Sequence, residues 1–234
     1  PTVYLFDVDG TLVDTGGAGR RSMNQAFERV MGFEDALAGM NLGGMTDRKI
    51  CRQVLQRFHH RYEALQVERV LDVYLQALDQ EIGASSGYEI LPGVFQLLEY
   101  LECQVEAALG LGTGNIEAGA RIKLRRGDLD RRFEFGGFGS DAEDRAALLH
   151  AGAERGARKL NIPLPSCRVV VIGDTPLDIA AAEAIGAECV AVATGSYSKD
   201  ALASASYVFG NLQEAMRASR LWVDAAHSMN RDGA

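Results

Sequence analysis

The sequence predicts an α/β fold, with an open parallel sheet, helices on both faces and a small helical domain inserted between the first two strands. Short apolar runs without alternation recur along the chain, as expected for parallel strands buried on both faces. These runs occupy residues 3–6, 105–111, 169–172 and 189–193. Segments with apolar residues at helical spacing separate them, and alternating strands and helices are typical of a Rossmann-like sheet wrapped by helices.

Composition agrees with a soluble protein of this class. The chain has 234 residues, of which 47% are hydrophobic and 24% charged, enough apolar surface for a substantial core. Its net charge of −8 argues against nucleic-acid and anionic-membrane partners. Neither a membrane-spanning run of about 20 apolar residues nor a targeting segment is apparent, so a cytoplasmic location is expected. Four cysteines form no CxxC pair, which argues against a zinc site.

The long interval between the first two apolar runs indicates an inserted domain, because one crossover needs far fewer residues. Periodicity predicts helices at 18–31, 46–58 and 63–82. The small residues Gly16-Gly17 and Ser85-Ser86-Gly87 flank the insert as hinges would.

We therefore expect a core formed by residues 1–14 and 87–234, with a helical cap at 15–86 lying over the strand ends. The alternative is that these helices simply pack on the sheet. Residues 224–234 are expected to fray, as chain termini often do.

Two acidic residues directly follow the first predicted strand. Asp7 and Asp9 are separated by one residue, and the chain turns at Gly10. Carboxylates this close repel each other unless a cation or a shared proton relieves them, and Mg²⁺ prefers oxygen ligands. A solvated turn is the alternative, since Asp and Gly are common in turns.

A second acidic pair, Asp174 and Asp178, follows the third predicted strand. Pro176 suits the first position of a helix and Thr175 its cap, so Asp178 falls in the first turn, where the helix dipole favours a carboxylate. That capping role is the alternative to a role at a site. Ligands of parallel sheets bind at the carboxyl ends of strands, where Asp174 can face the same cavity as Asp7.

The chain resembles the haloacid dehalogenase-like (HAD) hydrolase superfamily at its first and last signature motifs, Asp7-Val8-Asp9-Gly10-Thr11-Leu12 and Gly173-Asp174-Thr175-Pro176-Leu177-Asp178. The resemblance covers nearly the whole chain, cap included, and is nearest to the phosphoglycolate phosphatase-like branch. It implies a Mg²⁺-dependent phosphatase that hydrolyses a small phosphorylated metabolite through an aspartyl-phosphate.

The resemblance also implies roles for individual residues. Asp7 would be the nucleophile, and Asp9 the general acid and base. Mg²⁺ would be held by Asp7, the backbone carbonyl of Asp9, and Asp174. Asp178 and Thr11 would support this cluster.

Phosphate binding is implied for Thr113 and Gly114, which follow the second predicted strand. Asn115 would cap a helix over 116–126 whose amides face the anion. An ordinary strand end is the alternative for Thr113.

The basic residue of the family departs from the usual pattern. The family places a Lys, often followed by Pro, about thirty residues after that Thr, and no Lys-Pro occurs here. Arg145 stands at the matching distance and is preferred to Lys123 and Lys159. A guanidinium can bridge a phosphate and a carboxylate.

In the cap, Gly44, Thr46 and Arg48 resemble a substrate-facing loop. Arg48 could meet a substrate carboxylate, and Arg20 and Arg21 are similar candidates. An ordinary helix start capped by Thr46 explains the segment equally well.

Other activities of the superfamily remain as alternatives. A 2-haloacid dehalogenase has no acid at the position of Asp9 and is disfavoured. A phosphonate hydrolase needs a Schiff-base lysine in the cap, and Lys49 there has no obviously apolar setting. A sugar-phosphate mutase would keep every motif. A non-catalytic binding module would be favoured by loss of Asp7 or Asp9, and both are present.

Overall fold

A computed structural model describes residues 1–223, and the predicted fraying of 224–234 lies outside this range. In the described part the strands are β1 (Thr2–Phe6), β2 (Val13–Thr15), β3 (Tyr88–Ile90), β4 (Ala107–Thr113), β5 (Gly136–Phe138), β6 (Arg168–Gly173), β7 (Glu188–Val192) and β8 (Tyr207–Phe209). The α-helices are α1 (Ala18–Met31), α2 (Asp47–Arg57), α3 (Ala64–Ala84), α4 (Val94–Glu102), α5 (Glu117–Arg125), α6 (Arg145–Leu160), α7 (Pro176–Ala184), α8 (Leu212–Arg217) and α9 (Ser219–Trp222). Single 3₁₀ turns lie at Asp130–Arg132, Leu164–Ser166 and Asp200–Leu202.

Six strands form one parallel sheet in the order β5-β4-β1-β6-β7-β8, which confirms the predicted fold class. β1 lies at the centre, with Phe6 opposite Leu111 of β4 and Ile172 of β6. The carboxyl ends of β4, β1 and β6 are therefore neighbours at one edge of the sheet.

Alternate residues of β1 enter two different cores, as side chains of a strand must. Tyr4 and Phe6 pack in the cluster that includes Leu98 of α4. Leu5 packs on the opposite face, in a cluster with Leu149 of α6. Burying a side chain of this size stabilises the fold by about 1.5–3 kcal/mol, so both faces hold the helices in place.

The inserted helices α1, α2 and α3 have an apolar cluster of their own, which includes Phe27, Val54 and Leu71. The boundaries of the cap at 15–86 remain a prediction. The chain passes to and from these helices through an antiparallel pair of strands, β2 and β3, which the sequence did not predict. No helix within residues 1–223 is long and apolar enough to cross a membrane.

Glycines allow α6 to pack directly on the sheet. A Cβ on Gly137 of β5 would stand 1.8 Å from the carbonyl oxygen of Leu148, and one on Gly152 would stand 2.8 Å from the backbone nitrogen of Gly137. Any larger side chain at Gly137 would push α6 away from β5.

We therefore expect Gly137→Ala to lower the free energy of unfolding by about 1–3 kcal/mol, as overpacking does. The matched control is Gly83→Ala in α3, where no atom lies within 4 Å of the added Cβ. That change should raise the free energy by about 0.5–1 kcal/mol, because alanine favours helix. Urea unfolding measures both, and equal effects would contradict the close packing.

Candidate active site

Three carboxylates meet at the carboxyl edge of the sheet. Asp7 follows β1, Asp174 follows β6, and Asp178 lies in the first turn of α7. One oxygen of each lies within 4.8 Å of the others, and all three side chains are buried. The neighbouring positions of β1 and β6 bring together residues that are distant in sequence.

The backbone leaves space for Asp174 at two glycines. Gly10 has a φ of +77°, and a Cβ there would stand 2.4 Å from Oδ2 of Asp174. A Cβ on Gly195 would stand 1.8 Å from the same oxygen. The Thr11 hydroxyl donates to Oδ1 of Asp174 over 3.3 Å, so this carboxylate is held against β1.

Arg145, the first residue of α6, joins the carboxylates to the inserted helices. Its Nη2 lies 2.5 Å from Oδ1 of Asp178 and 3.0 Å from Oδ2 of Asp7. Its Nε lies 2.9 Å from Oδ1 of Asp178, and Nη1 donates to the Gly44 carbonyl over 3.0 Å. The contacts with Asp178 and Gly44 are hydrogen bonds and use three of the five N–H groups of the guanidinium, whereas the contact with Asp7 is an ion pair. The second N–H groups of Nη1 and Nη2 form no hydrogen bond within residues 1–223 and are left for a ligand.

The charge of this buried guanidinium is maintained by its neighbours. Burial alone would lower the pKa of Arg145, but Asp178 and Asp7 outweigh burial and raise the pKa above its usual range. Arg145 therefore stays a cation at the centre of the cluster.

Both oxygens of Asp178 are already bonded within the protein. Oδ1 accepts from Arg145, and Oδ2 accepts from the Thr175 hydroxyl at 2.7 Å and the Thr175 N–H at 3.0 Å. The Thr175 hydroxyl accepts the Asp178 N–H in turn, which completes a capping box at the start of α7. Asp178 is thus suited to orient Arg145, while Asp7 and Asp174 remain better placed to bind an ion.

The cluster holds more negative charge than Arg145 neutralises. Burial, followed by the charges of Asp7 and Asp178, raises the pKa of Asp174 to about 8. Burial raises the pKa of Asp7 to about 6, although Arg145 opposes the shift. A divalent cation would relieve this repulsion, and an all-oxygen donor set suits a hard ion. The residues therefore fit a metal site.

Asp9 lies beside this cluster and faces a cavity. Its Oδ2 accepts from Nζ of Lys123 at 2.7 Å and from Nδ2 of Asn115 at 2.8 Å. Its Oδ1 accepts no hydrogen bond from residues 1–223, and 43% of the side chain is exposed. The basic residue Lys123 thus binds Asp9, whereas Lys159 pairs with Glu134 at 2.8 Å, outside the cavity.

Thr113 and Gly114 occupy the end of β4, next to Asp7. The buried Thr113 hydroxyl accepts from Nδ2 of Asn115 at 2.8 Å and from the Asn115 N–H at 3.3 Å. Gly114 lies beneath the segment that connects α1 and α2, which we call the cap loop. A Cβ on Gly114 would stand 2.3 Å from the carbonyl oxygen of Met45 in this loop.

Asp47 is a buried residue of the site that sequence reasoning did not find. Its Oδ2 accepts the N–H of Ile116, the residue before α5, over 2.8 Å. Burial raises the Asp47 pKa to about 6, while Lys123 and the Ile116 bond oppose the shift. A carboxylate of the cap therefore binds an amide that was expected to face the anion. An acidic residue in a first turn is common, so the sequence did not indicate this partner.

The three cap candidates have different positions. Gly44 lines the cavity, and its carbonyl binds Arg145. Thr46 caps α2 through its hydroxyl, which accepts the Lys49 N–H. Arg48 pairs with Glu68 on α3 at 2.6 Å and does not line the cavity.

The two arginines of α1 also differ. Arg20 lines the cavity and binds the carbonyls of Leu37 and Met40. Arg21 pairs with Glu81 at 2.7 Å and does not line it.

A cavity of about 340 Å³ lies between the carboxylates and the inserted helices, at the small end of ligand sites, which span roughly 300–1,000 Å³. The core contributes Asp7, Asp9 and Asp174 to its wall. The residues contributed by the insert include Arg20, Met23, Leu42, Met45, Ile50 and Tyr74.

A sequence profile described as haloacid dehalogenase-like hydrolase matches residues 1–186, most of the chain. The chain belongs to the haloacid dehalogenase-like hydrolase family. No curated protein is similar enough in sequence to match it.

Solved structures share the fold of this haloacid dehalogenase-like hydrolase. A hydrolase from Pseudomonas syringae is 23% identical, with a TM-score of 0.72 over 96% of this chain and 99% of that one. A predicted phosphoglycolate phosphatase from Haemophilus somnus is 18% identical, with a TM-score of 0.66 over 93% and 97%. A β-phosphoglucomutase from Clostridium difficile is 19% identical, with a TM-score of 0.70 over 97% of each chain.

For this haloacid dehalogenase-like hydrolase, Asp174→Asn should raise the metal-free Tm at pH 7, because burial and the neighbouring carboxylates disfavour the ionised form of Asp174 and an amide does not ionise. We expect a gain of about 1–2 kcal/mol, or roughly 2–8 °C for a chain of this size. Added Mg²⁺ should raise the Tm of the wild type but not of the variant. The control is Asp72→Asn, on the exposed side of α3. If Mg²⁺ raised the Tm of Asp174→Asn as much as that of the wild type, Asp174 would not be a metal ligand.

Proposed function

We propose that this hydrolase is a Mg²⁺-dependent phosphatase that acts on a small phosphorylated metabolite resembling phosphoglycolate. The observation that carries the proposal is that two carboxylates at one cavity have contrasting environments. Asp7 is buried and paired with Arg145, whereas Asp9 keeps an unbonded oxygen towards the cavity. A nucleophile and a proton-transfer group need these contrasting environments.

In the first half of the reaction, a carboxylate oxygen of Asp7 attacks phosphorus. The Asp7–phosphorus bond forms while the bond from phosphorus to the leaving oxygen breaks. Asp9 donates its proton to that oxygen, so the leaving group departs as a neutral alcohol. Lys123 and Asn115 hold one oxygen of Asp9 and so fix its direction.

In the second half, water attacks the aspartyl-phosphate at phosphorus. Asp9, now ionised, takes the proton of this water, and the Asp7–phosphorus bond breaks to give inorganic phosphate and free Asp7. The Thr113 hydroxyl and the N–H groups of Arg145 that form no hydrogen bond within residues 1–223 bind the phosphoryl oxygens. The Gly114 carbonyl accepts the Asp47 N–H over 2.9 Å, which keeps the cap loop over this group.

Mg²⁺ would be held by Asp7, Asp174 and the backbone carbonyl of Asp9, with Asp178 and Thr11 in support. When bound, it would supply positive charge against the phosphoryl oxygens. The oxygen-only donor set and the raised pKa of Asp174 support this assignment.

Two other activities of the family have less support. A phosphonate hydrolase would need a cap lysine at the cavity, and Lys49 is not among the residues that line it. A 2-haloacid dehalogenase would not need an acid at Asp9, which here is held by Lys123 and Asn115.

Asp7→Asn should abolish Mg²⁺-dependent hydrolysis of p-nitrophenyl phosphate, because an amide oxygen is a poor nucleophile. Release of p-nitrophenol measures this directly, and chelation of the metal should have the same effect on the wild type. Asp72→Asn makes the same chemical change on the exposed side of α3 and should retain full activity. Turnover that survives Asp7→Asn would refute the proposed mechanism.

Arg145→Lys should lower kcat/KM by about 10²-fold, because an ammonium cannot span Asp7, Asp178 and a phosphoryl oxygen together. Lys159→Gln removes a cation outside the cavity and should leave kcat/KM unchanged. The same p-nitrophenyl phosphate assay compares the two. If Lys159→Gln were the more damaging variant, Arg145 would not be the phosphate-binding residue.

A further inference from the structure

Tyr74, on α3, is a buried side chain whose hydroxyl has no partner within residues 1–223. Only 1% of the residue is exposed, and it lines the cavity. Its ring packs on α5, where Cε1 lies 3.6 Å from the position that a Cβ of Gly119 would occupy. Within residues 1–223 no group forms a hydrogen bond with its hydroxyl.

The Tyr74 hydroxyl is not fully enclosed and opens on the cavity. Because the O–H of a buried tyrosine usually finds a partner, a ligand in the cavity is a suitable acceptor. Elsewhere in the chain, the Tyr88 hydroxyl donates to the Lys123 carbonyl at 2.9 Å. Tyr74 therefore differs from Tyr88 in having no acceptor within residues 1–223.

Tyr74 lies on the side of the cavity that the insert provides. The core lines this cavity with Asp7, Asp9 and Asp174, whereas Tyr74 lines it from α3. In the proposed mechanism the phosphoryl group lies against the carboxylates of the core, so the wall formed by the insert faces the leaving group. Burial raises the Tyr74 pKa well above its usual range, so the phenol is a neutral hydrogen-bond donor.

Further hydrogen-bond donors line the same cavity. Lys123, one turn after Gly119 on α5, gives two of its three N–H groups to Asp9 and Asn115. Arg20 binds the carbonyl oxygens of Leu37 and Met40 and pairs with no carboxylate within residues 1–223. The unbonded oxygen of Asp9 is an acceptor, and the proposed mechanism uses it for proton transfer, so a ligand that binds the donors must bring acceptors of its own.

We propose that Tyr74 is a specificity-determining residue that donates a hydrogen bond to an oxygen atom of the leaving group. The preferred substrates are then phosphate monoesters whose leaving group carries hydroxyl or carboxylate oxygens, and plain alkyl phosphates are poor substrates. This inference rests on the proposed phosphatase function, and it identifies the substrate class of the same site.

The test compares esters that differ in leaving-group oxygen. The first pair is glycerol 3-phosphate and propyl phosphate, which reports on hydroxyl groups. The second is phosphoglycolate and ethyl phosphate, which reports on a carboxylate. The wild type should prefer the oxygenated member of at least one pair. Tyr74→Phe should reduce that preference, measured as a ratio of kcat/KM values, by about tenfold, the effect of one lost hydrogen bond.

Tyr4→Phe is the matched control, because Tyr4 is equally buried but lies in the core under the sheet. It should leave the preference unchanged. The Tm of Tyr74→Phe should not fall below that of the wild type, since no hydrogen bond within the protein is lost. A loss that is equal for oxygenated and alkyl esters would show a purely structural role and overturn the proposal.

A binding measurement separates this proposal from the phosphatase proposal. Calorimetry with the same four esters and Mg²⁺ compares Asp7→Asn with the double variant Asp7→Asn/Tyr74→Phe, so no turnover is needed. If the wild type hydrolyses no ester but the ratio of dissociation constants falls in the double variant, the phosphatase proposal fails and Tyr74 keeps its role. Unchanged ratios, or no preference before Tyr74 is replaced, would overturn the role of Tyr74.

Discussion

The buried guanidinium of Arg145 is the interaction on which the rest of the site depends. It contacts Asp7 after β1, Asp178 at the start of α7 and the Gly44 carbonyl in the cap loop. Taking such a charge out of water costs several kcal/mol, which is recovered only when its partners are present together. Sheet, helix and cap loop must therefore all be in place before this residue is satisfied. In return, Arg145 holds the Asp7 carboxylate in an ion pair and keeps N–H groups for a ligand.

The charge balance of the site explains how an acidic protein could bind an anion. The chain carries a net charge of −8, and three of its carboxylates are gathered around one arginine. The cluster is unfavourable by itself, as the pKa of Asp174 near 8 shows. A divalent cation would reverse the local sign, and the bulk charge would then oppose only polyanionic partners. Repulsion among the carboxylates destabilises the folded protein, and functional sites commonly reduce stability in this way.

The sequence predicted the central fold well because burial on both faces leaves a strong local pattern. The apolar runs match β1, β4, β6 and β7 to within two residues, and α1 was predicted at its observed bounds. The remaining strands, β2, β3, β5 and β8, are three residues long, too short for any period to show. The glycines of β5 also weaken its apolar pattern, because these positions must be small for α6 to pack closely on the strand.

The candidate site shows the same difference between features that local sequence reveals and features that it does not. Asp7 and Asp174 could be inferred because each ends a strand, whereas the bond from Asp47 to Ile116 depends on how the cap docks. That docking also brings Tyr74 over the cavity and turns Arg48 away, towards α3. Polar contacts such as Asp47 with Ile116 tolerate little displacement, because hydrogen bonds weaken steeply outside a narrow range of distances and angles. The carboxylates can thus be deduced from local sequence, while the cavity wall formed by the insert arises only from tertiary contacts. A change in the insert could therefore alter the cavity wall without altering the carboxylate cluster at Asp7.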